Sequence, residues 1–597
     1  MKAKSRKGAR QSQTSGVATA EPGKRRMWPG RNYWLAGAAA VVLAFWAYAP
    51  AMHGAFLFDD NALPFALPDF HAPFMDWIRS SATRPVLYAT YWLNSWFSAD
   101  DPFSYHVLNV IFHLVSSGLV FFIVRRFLDW QGARESSASA APAPRRNLLA
   151  GLAASIFLLH PVQTEAVAYL AGRSDSLSVM FFLAAFAAFL YRPVEAISWG
   201  RVAAVLALFA AALGTKQHTI TLPALLLLTD YWWNPGFSFQ GARKNWRLYT
   251  PMGLGALAGV AMYWQLIRNS PSAGFSLKAF TWYQYFFTEC RALFVYIGQF
   301  LLPVRLDADW DFPISRTIWQ GGAIVALAAL VGLVALAWHY RRRFPLAAYG
   351  FLVYLLLMAP TSSILPIADA VADRRLYLSM IGLLLMVVDG VGRLRWQPRK
   401  LAVASAAVLA VLACATRVHA AIWASPIALW QDTVQKSPNK RRVHFQLASA
   451  YYDVGRCDLA LPEFQKTAEI EPPNYDLLVD WALDYDCLNE PDPAVAKLRQ
   501  AALLDPTAHV YSQIGMIFAK RARWAEATEA LDQAQKIDPN FAMTYYYKGG
   551  VYLSQNMAPE AVENYRRAVA LNPDYEPAVQ GLANAEARLR AMRGVRR

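Results

Sequence analysis

Residues 441–472 read RRVHFQLASAYYDVGRCDLALPEFQKTAEIEP, and the proline that ends them is one of a series. Proline stands at 438, 472, 506, 539 and 573, at intervals of 34, 34, 33 and 34. Between these prolines a small residue recurs at Ala448, Ala482, Gly515 and Gly549, with an aromatic three positions later at Tyr451, Tyr485, Phe518 and Tyr552. A second series, Ala460, Ala494, Ala527 and Ala561, is followed by Phe464, Leu498, Leu531 and Tyr565. Each unit therefore reads as two antiparallel helices that approach closely at the small residues and fill the gap with the large ones. Proline closes the unit because it cannot continue the second helix.

A proline-ended helical hairpin of 34 residues is the tetratricopeptide repeat. Four repeats occupy 441–573, a linker occupies 426–440, and the Ala-rich, Arg-ended stretch 574–597 reads as a capping helix. The concave face of such a solenoid is the natural place to bind an acceptor polypeptide or a partner. Cys457 and Cys487 both fall in it and are free to pair in an oxidising compartment, although spacing alone does not supply the geometry. Cys290 and Cys414 lie in apolar stretches, and four cysteines without a CxxC pair argue against a zinc site or a disulfide-stapled fold.

Upstream of the repeats the character changes. The whole chain is 56% hydrophobic with 21 Trp and 28 Tyr, a composition that places much of it in lipid. Apolar segments lie at 33–52, 104–124, 147–169, 176–191, 202–214, 218–233, 250–267, 281–302, 318–340, 345–360, 376–390 and 401–420. The first reads as an uncleaved membrane helix rather than a signal peptide. The formal net charge of +16 sits mostly in short segments between these runs, so it orients a membrane protein and does not call for nucleic acid.

The basic stretches are 1–31, 125–146, 192–201, 243–247, 341–343 and 393–400. Strict alternation from a cytoplasmic N-terminus keeps them all inside only if one segment between 250 and 340 does not cross. That segment is 281–302, which carries Gln284, Glu289, Arg291 and Gln299 and reads as interfacial or re-entrant. The expectation is an all-α protein: a basic cytoplasmic tail over 1–31, a membrane domain over 32–425 with about eleven crossings, and an extracytoplasmic solenoid. Compact loops and the basic tail suit a bacterial inner membrane, surrounded by membrane lipids.

The first outward loop, 53–103, holds six aspartates against two arginines. Asp59 and Asp60 stand close to the outer end of the first membrane helix, where adjacent carboxylates are costly unless they serve something. One is suited to act as general base for an incoming hydroxyl while the other orients it, or both to hold a divalent cation. A solvated turn is the plainer account of the same residues. Other polar groups gather on the outward side: Arg84, His106, Asn109, His160 with Glu165, Arg173 with Asp175, Lys216 with His218, and Asp373-Arg374-Arg375. Taken singly they suit membrane anchors or local ion pairs. Together, cations at a membrane boundary suit the phosphate of a lipid-linked donor. Walker, GxGxxG, HExxH and GxSxG motifs are not evident, so nucleotide hydrolysis, zinc proteolysis and α/β-hydrolase chemistry lack support.

In order along the chain stand Phe58-Asp59-Asp60, Arg84-Pro85 running into Asn94, Asp101-Pro-Phe-Ser-Tyr-His106-Val-Leu-Asn109, and His160-Pro-Val-Gln-Thr-Glu165-Ala-Val-Ala-Tyr-Leu-Ala-Gly172-Arg173-Ser-Asp175. Gly214-Thr-Lys216-Gln-His, Ser363-Ile-Leu-Pro366 and Asp373-Arg374-Arg-Leu-Tyr377-Leu follow. The set resembles the transmembrane and tetratricopeptide-repeat-containing O-mannosyltransferases and their bacterial relatives, of the GT-C glycosyltransferase superfamily. The resemblance implies transfer of a sugar, mannose or another hexose, from a polyprenyl-phosphate donor to a protein hydroxyl outside the membrane. By position it makes Asp59 or Asp60 the base, and Lys216, Arg173 and Arg374 candidates to hold the leaving phosphate. Arg84 and Arg375 join that phosphate-binding set, and His106, His160, Glu165 and Asp175 are further site candidates. Family members commonly have a longer repeat array and an acidic residue after the lysine, where this chain has Gln217-His218. The alternatives are transfer to a lipid or glycan, and a non-catalytic membrane scaffold that recruits partners through the solenoid.

Overall fold

The computed structural model describes residues 31–63, 73–80, 83–98, 101–134, 143–192, 196–267, 273–275 and 277–595. Nearly all of the expected basic tail and the 64–72 part of the first loop lie outside the described residues. Among the described residues no strand forms, and a lone antiparallel bridge joins Ala273 to Ile367.

The membrane half comprises α1 (Arg31–Tyr48), α2 (Phe74–Ser80), α3 (Pro85–Ser98), α4 (Pro102–Arg134), α5 (Ala143–Leu159), α6 (Thr164–Ala168), α7 (Arg173–Leu190), α8 (Trp199–Leu213), α9 (Leu222–Trp233), α10 (Gln240–Lys244), α11 (Trp246–Ile267), α12 (Trp282–Leu301), α13 (Ala323–His339), α14 (Pro345–Met358), α15 (Leu376–Arg393) and α16 (Pro398–Ile422). Six stretches, built on α1, α4, α7, α13, α15 and α16, are long and apolar enough to cross a membrane, and α5 with α6 makes a seventh when counted across a 52° bend. Helices α8, α9 and α14 have 15, 12 and 14 residues, short of the roughly 20 that a straight span needs. Part of the length expected for α9 goes into the 3-10 turn Gln217–Thr221 that precedes it.

Polar contacts sort the bundle into two ends. At one, His113 of α4 bonds the Leu158 carbonyl of α5 at 3.0 Å and the Tyr377 hydroxyl of α15 at 2.8 Å. The Val86 amide of α3 donates to Gly214, just past α8, at 3.0 Å. At the other end Arg126 donates to the Leu190 carbonyl, Arg134 to those of Trp232 and Trp233, and Arg145 to that of Gly392. Arg192 pairs there with Asp230, which also accepts from Asn245 and Tyr249. The basic loops thus share one end, as a positive-inside sorting requires.

Helix α12 is unbroken from Trp282 to Leu301. Near its start the Tyr285 hydroxyl donates to the Thr361 carbonyl beyond α14. Near its finish Tyr296 accepts from the Ala372 amide, and His160 beyond α5 bonds the Phe300 carbonyl at 3.0 Å. All of these partners belong to the end of the bundle opposite the arginines, so α12 lies across that end. Its buried Tyr285, Thr288, Glu289 and Gln299 form a polar stripe that finds partners there and would find few in hydrocarbon.

The second half opens with α17 (Pro426–Lys436) and continues as helix pairs: α18 (Arg441–Asp453) with α19 (Cys457–Ile470), α20 (Tyr475–Cys487) with α21 (Pro491–Leu504), α22 (Ala508–Lys520) with α23 (Trp524–Ile537), and α24 (Ala542–Ser554) with α25 (Ala558–Leu571). Helix α26 (Glu576–Val595) closes the array. The small positions do what the repeat requires: Ala448, Ala460, Ala482, Ala494, Ala527 and Ala561 are fully buried. At Gly549 a Cβ atom would stand 2.8 Å from the Tyr565 ring, closer than real contacts allow. Cys457 and Cys487 form a disulfide between the start of α19 and the end of α20.

Candidate active site

The end of the bundle opposite the arginines carries the candidate residues. After α1 a tight 3-10 turn, Phe58–Ala62, presents both aspartates, and its geometry separates them. Asp60 is 1% exposed. Its Oδ2 accepts from the Leu57 amide at 2.9 Å and its Oδ1 from the Ala171 amide at 2.7 Å. Burial pushes its carboxyl up to about 7, outweighing those two donors. Asp60 therefore ties the loop to the turn between α6 and α7. The Asp59 side chain is exposed and has no hydrogen-bond partner among the described residues, while its amide donates to the Tyr169 hydroxyl at 2.9 Å. Of the two carboxylates, Asp59 is the one free to meet a substrate. Each Asp60 oxygen thus accepts one backbone amide. Among the described residues no three His, Cys, Asp or Glu side chains gather as a metal site.

The cations divide in the same way. Arg173 is fully buried. It donates to Asn109 Oδ1 at 2.9 Å, to Asn94 Oδ1 at 2.8 Å, and to the Tyr105 and Thr90 carbonyls, so four of its five N–H groups are engaged. Its guanidinium lies over the Tyr91 ring, 4.5 Å from the centroid. These bonds make it the hub joining α3, α4 and α7, a different place from the phosphate-facing one expected of it. Arg375 is also turned inward, toward the Asp369 and Ala370 carbonyls, the Tyr285 hydroxyl and, at 3.6 Å, Glu289.

Lys216 and Arg374 are more open. Lys216 Nζ lies 2.6 Å from Asp175 Oδ2 and keeps 20% of its side chain exposed. Burial and the neighbouring Arg374 and Arg84 charges lower it to about 8, against the pull of Asp175. Arg374 pairs with Glu165, whose other oxygen accepts the Arg374 amide at 2.7 Å, and 36% of the Arg374 side chain is exposed. Arg84 is half-buried with no side-chain partner among the described residues. Asp175 and Glu165 therefore hold Lys216 and Arg374 in place.

Two of the histidines are held by local contacts. His160 accepts from the Val162 amide at 3.3 Å and stacks on Phe300, which makes it the cap of the Pro161–Gln163 turn. His106 is buried beneath the Gly54 carbonyl at 3.4 Å. Three residues around the acidic loop take part through packing that the sequence does not show. Tyr169 supports the Asp59 amide. Trp423 stacks on Tyr169 with centroids 5.4 Å apart. Phe58 sits before the aspartates with a left-handed φ of +46°. The His-Pro turn signal was visible in the sequence, whereas nothing local marks the other contacts.

No family model matches the chain. Mouse protein O-mannosyl-transferase TMTC3 is 25% identical over 552 residues, covering 82% of this chain and 57% of that protein. Human TMTC1 is 26% identical over 65% of this chain and 48% of its own length, and human TMTC4 is 26% identical over 71% and 64%. The chain thus spans about half the length of the mouse relative. Among solved structures, YrrB, a tetratricopeptide protein with an unusual peptide-binding site, covers 29% of this chain and 86% of itself at 20% identity and a TM-score of 0.23. TTC0263, a tetratricopeptide protein of Thermus thermophilus, covers 30% and 95% at 19% identity and a TM-score of 0.25. Over most of its length, then, the chain is similar to the transmembrane and tetratricopeptide-repeat protein O-mannosyl-transferases, the resemblance that its ordered motifs carry.

Proposed function

We propose that the chain is a membrane glycosyltransferase that moves mannose, or another hexose, from a polyprenyl-phosphate donor to a Ser or Thr hydroxyl of a protein outside the membrane. One observation carries the reading. Asp59, an exposed carboxylate on a loop held from beneath, shares an end of the bundle with Lys216, Arg374 and Arg84. Asp59 takes the proton of the acceptor hydroxyl as its oxygen bonds to the anomeric carbon. The bond from that carbon to the phosphate oxygen breaks, and the polyprenyl phosphate leaves with one more negative charge. Lys216, Arg374 and Arg84 receive that charge, in a setting where fixed cations matter more than in water.

The solenoid stands at the same end and is the part suited to hold the acceptor polypeptide. The disulfide in its first two repeats supports an oxidising, extracytoplasmic location for it, with the basic loops in the cytoplasm and a bacterial inner membrane as the setting. The test is transfer in proteoliposomes containing polyprenyl-phosphate mannose and secreted protein acceptors. Radiolabel in Ser- or Thr-linked form is the expected result. Label appearing only in lipid or glycan, or unchanged labelling by Asp59→Asn, refutes the reading.

A further inference from the structure

Phe58, the residue before Asp59, holds a backbone conformation that a bulky side chain keeps only when its surroundings impose it. Those surroundings come from the other half of the chain. The Phe58 ring meets Trp430 of α17 edge to face at 5.5 Å, and the Arg442 guanidinium of α18 lies 5.7 Å from its centroid. Arg442 is itself fixed, with Nε 2.6 Å from Asp309 Oδ2 and Nη2 2.9 Å from Asp369 Oδ1. Lys440 joins the same two carboxylates. Ser437 adds a bond to buried Asp307 at 2.7 Å. The first repeat is thus locked onto the loops around α12, and the locking residue lies over the ring next to Asp59.

We infer that Arg442 is a positioning residue for Asp59: docking of the first repeat on Asp309 and Asp369 sets the Phe58 backbone and thereby the direction of the Asp59 carboxylate. The solenoid is then part of the geometry of the acidic loop as well as a tether for an acceptor. This rests on Asp59 being the base, so the experiment carries one readout that needs no activity.

Hydrogen exchange is followed in the full-length protein in nanodiscs for the peptide spanning 55–63, in wild type, Arg442→Ala, Arg442→Lys and Arg456→Ala. Arg442→Ala is expected to speed exchange of the Leu57, Asp59 and Asp60 amides roughly tenfold, the scale of losing a hydrogen bond to a charged group. Arg442→Lys has a smaller effect, and Arg456→Ala, whose pair with Asp458 is on the solenoid surface, has none. In the transfer assay Arg442→Ala lowers kcat by about 100-fold with the donor KM unchanged, the cost of misplacing a reacting group by about 1 Å. Unchanged exchange at 55–63 overturns the inference, as does faster exchange with full turnover. If wild type transfers nothing, the enzymatic reading fails while exchange still decides the coupling. If Arg442→Ala loosens the first repeat itself, Phe58→Leu, which leaves the repeats intact, must reproduce the faster exchange of the loop or the inference falls.

Discussion

Asp59 and Asp60 are chemically alike and adjacent, yet the structure gives their amide variants opposite outcomes. Asp59→Asn removes an exposed carboxylate that accepts no hydrogen bond among the described residues, and the backbone bond to Tyr169 remains. Stability should be unchanged, while loss of a general base costs about 100- to 10,000-fold in kcat, or about 3–5 kcal/mol of barrier. Asp60→Asn is the reverse case. One of the two amides it accepts, from Leu57 or Ala171, then faces an NH2 group. Losing a charge-assisted bond costs about 1.5–3 kcal/mol and stranding a buried donor about 1–3, and relief of the buried charge offsets part of this. A net loss of about 2–4 kcal/mol follows. The assay is thermal unfolding and initial transfer rate on the same detergent-purified samples. A stable, active Asp59→Asn, or an Asp60→Asn that loses turnover with an unshifted melting curve, would show that the roles have been assigned the wrong way round.

The same logic separates Lys216 from Arg173: Lys216→Met should lower kcat by about 100- to 1,000-fold with little change in melting. Arg173→Met should lower the melting temperature, costing on the order of 3 kcal/mol as Asn94 and Asn109 lose their partner, and leave the donor KM of the surviving protein unchanged. Because burial lowers Lys216 to about 8, its charge is lost as pH rises through that value. Transfer should therefore fall on the alkaline side, and Lys216→Arg should move that limb upward in a pH–rate profile. Replacing Cys457 and Cys487 by Ser opens a loop of 30 residues, which should cost the solenoid about 3–4 kcal/mol in denaturant melts. A phosphatase fused after residue 430 should be active outside the membrane, and a cytoplasmic readout there would defeat the secreted-acceptor reading.

The repeats were legible because their constraint is local and periodic: Ala482 and Ala494 must be small wherever two helices touch, and the period exposes that need. The acidic loop was legible as a place and opaque in its roles. Asp59 and Asp60 differ only in which way a turn aims them, and the aim is set by the Ala171 amide, far along the chain. Arg173 and Lys216 carry the same charge in neighbouring motifs, and only packing reveals that Arg173 is enclosed by Tyr91 and Tyr105 while Lys216 is not. His160 and Glu165 stand in one motif as site candidates. The His-Pro turn consumes one ring nitrogen and α12 the other.

Whether Asp59 and the solenoid can act on one substrate depends on their sharing an end of the membrane domain, and charge bias reaches that conclusion only by counting crossings. Contacts reach it without a count. Phe58 meets Trp430, Tyr169 meets Trp423, and Asp309 and Asp369 hold Arg442. Each of these pairs joins the acidic end of the bundle, or the α12 loops that cap it, to the chain leading into the first repeat. A miscounted helix would move both halves across the membrane together and could not part them. What the count does decide is which compartment they share, and there α12 is the pivot. A crossing α12 would have to carry Glu289 and Gln299 through hydrocarbon, whereas lying across the end gives them Arg375 and Asp373 as partners.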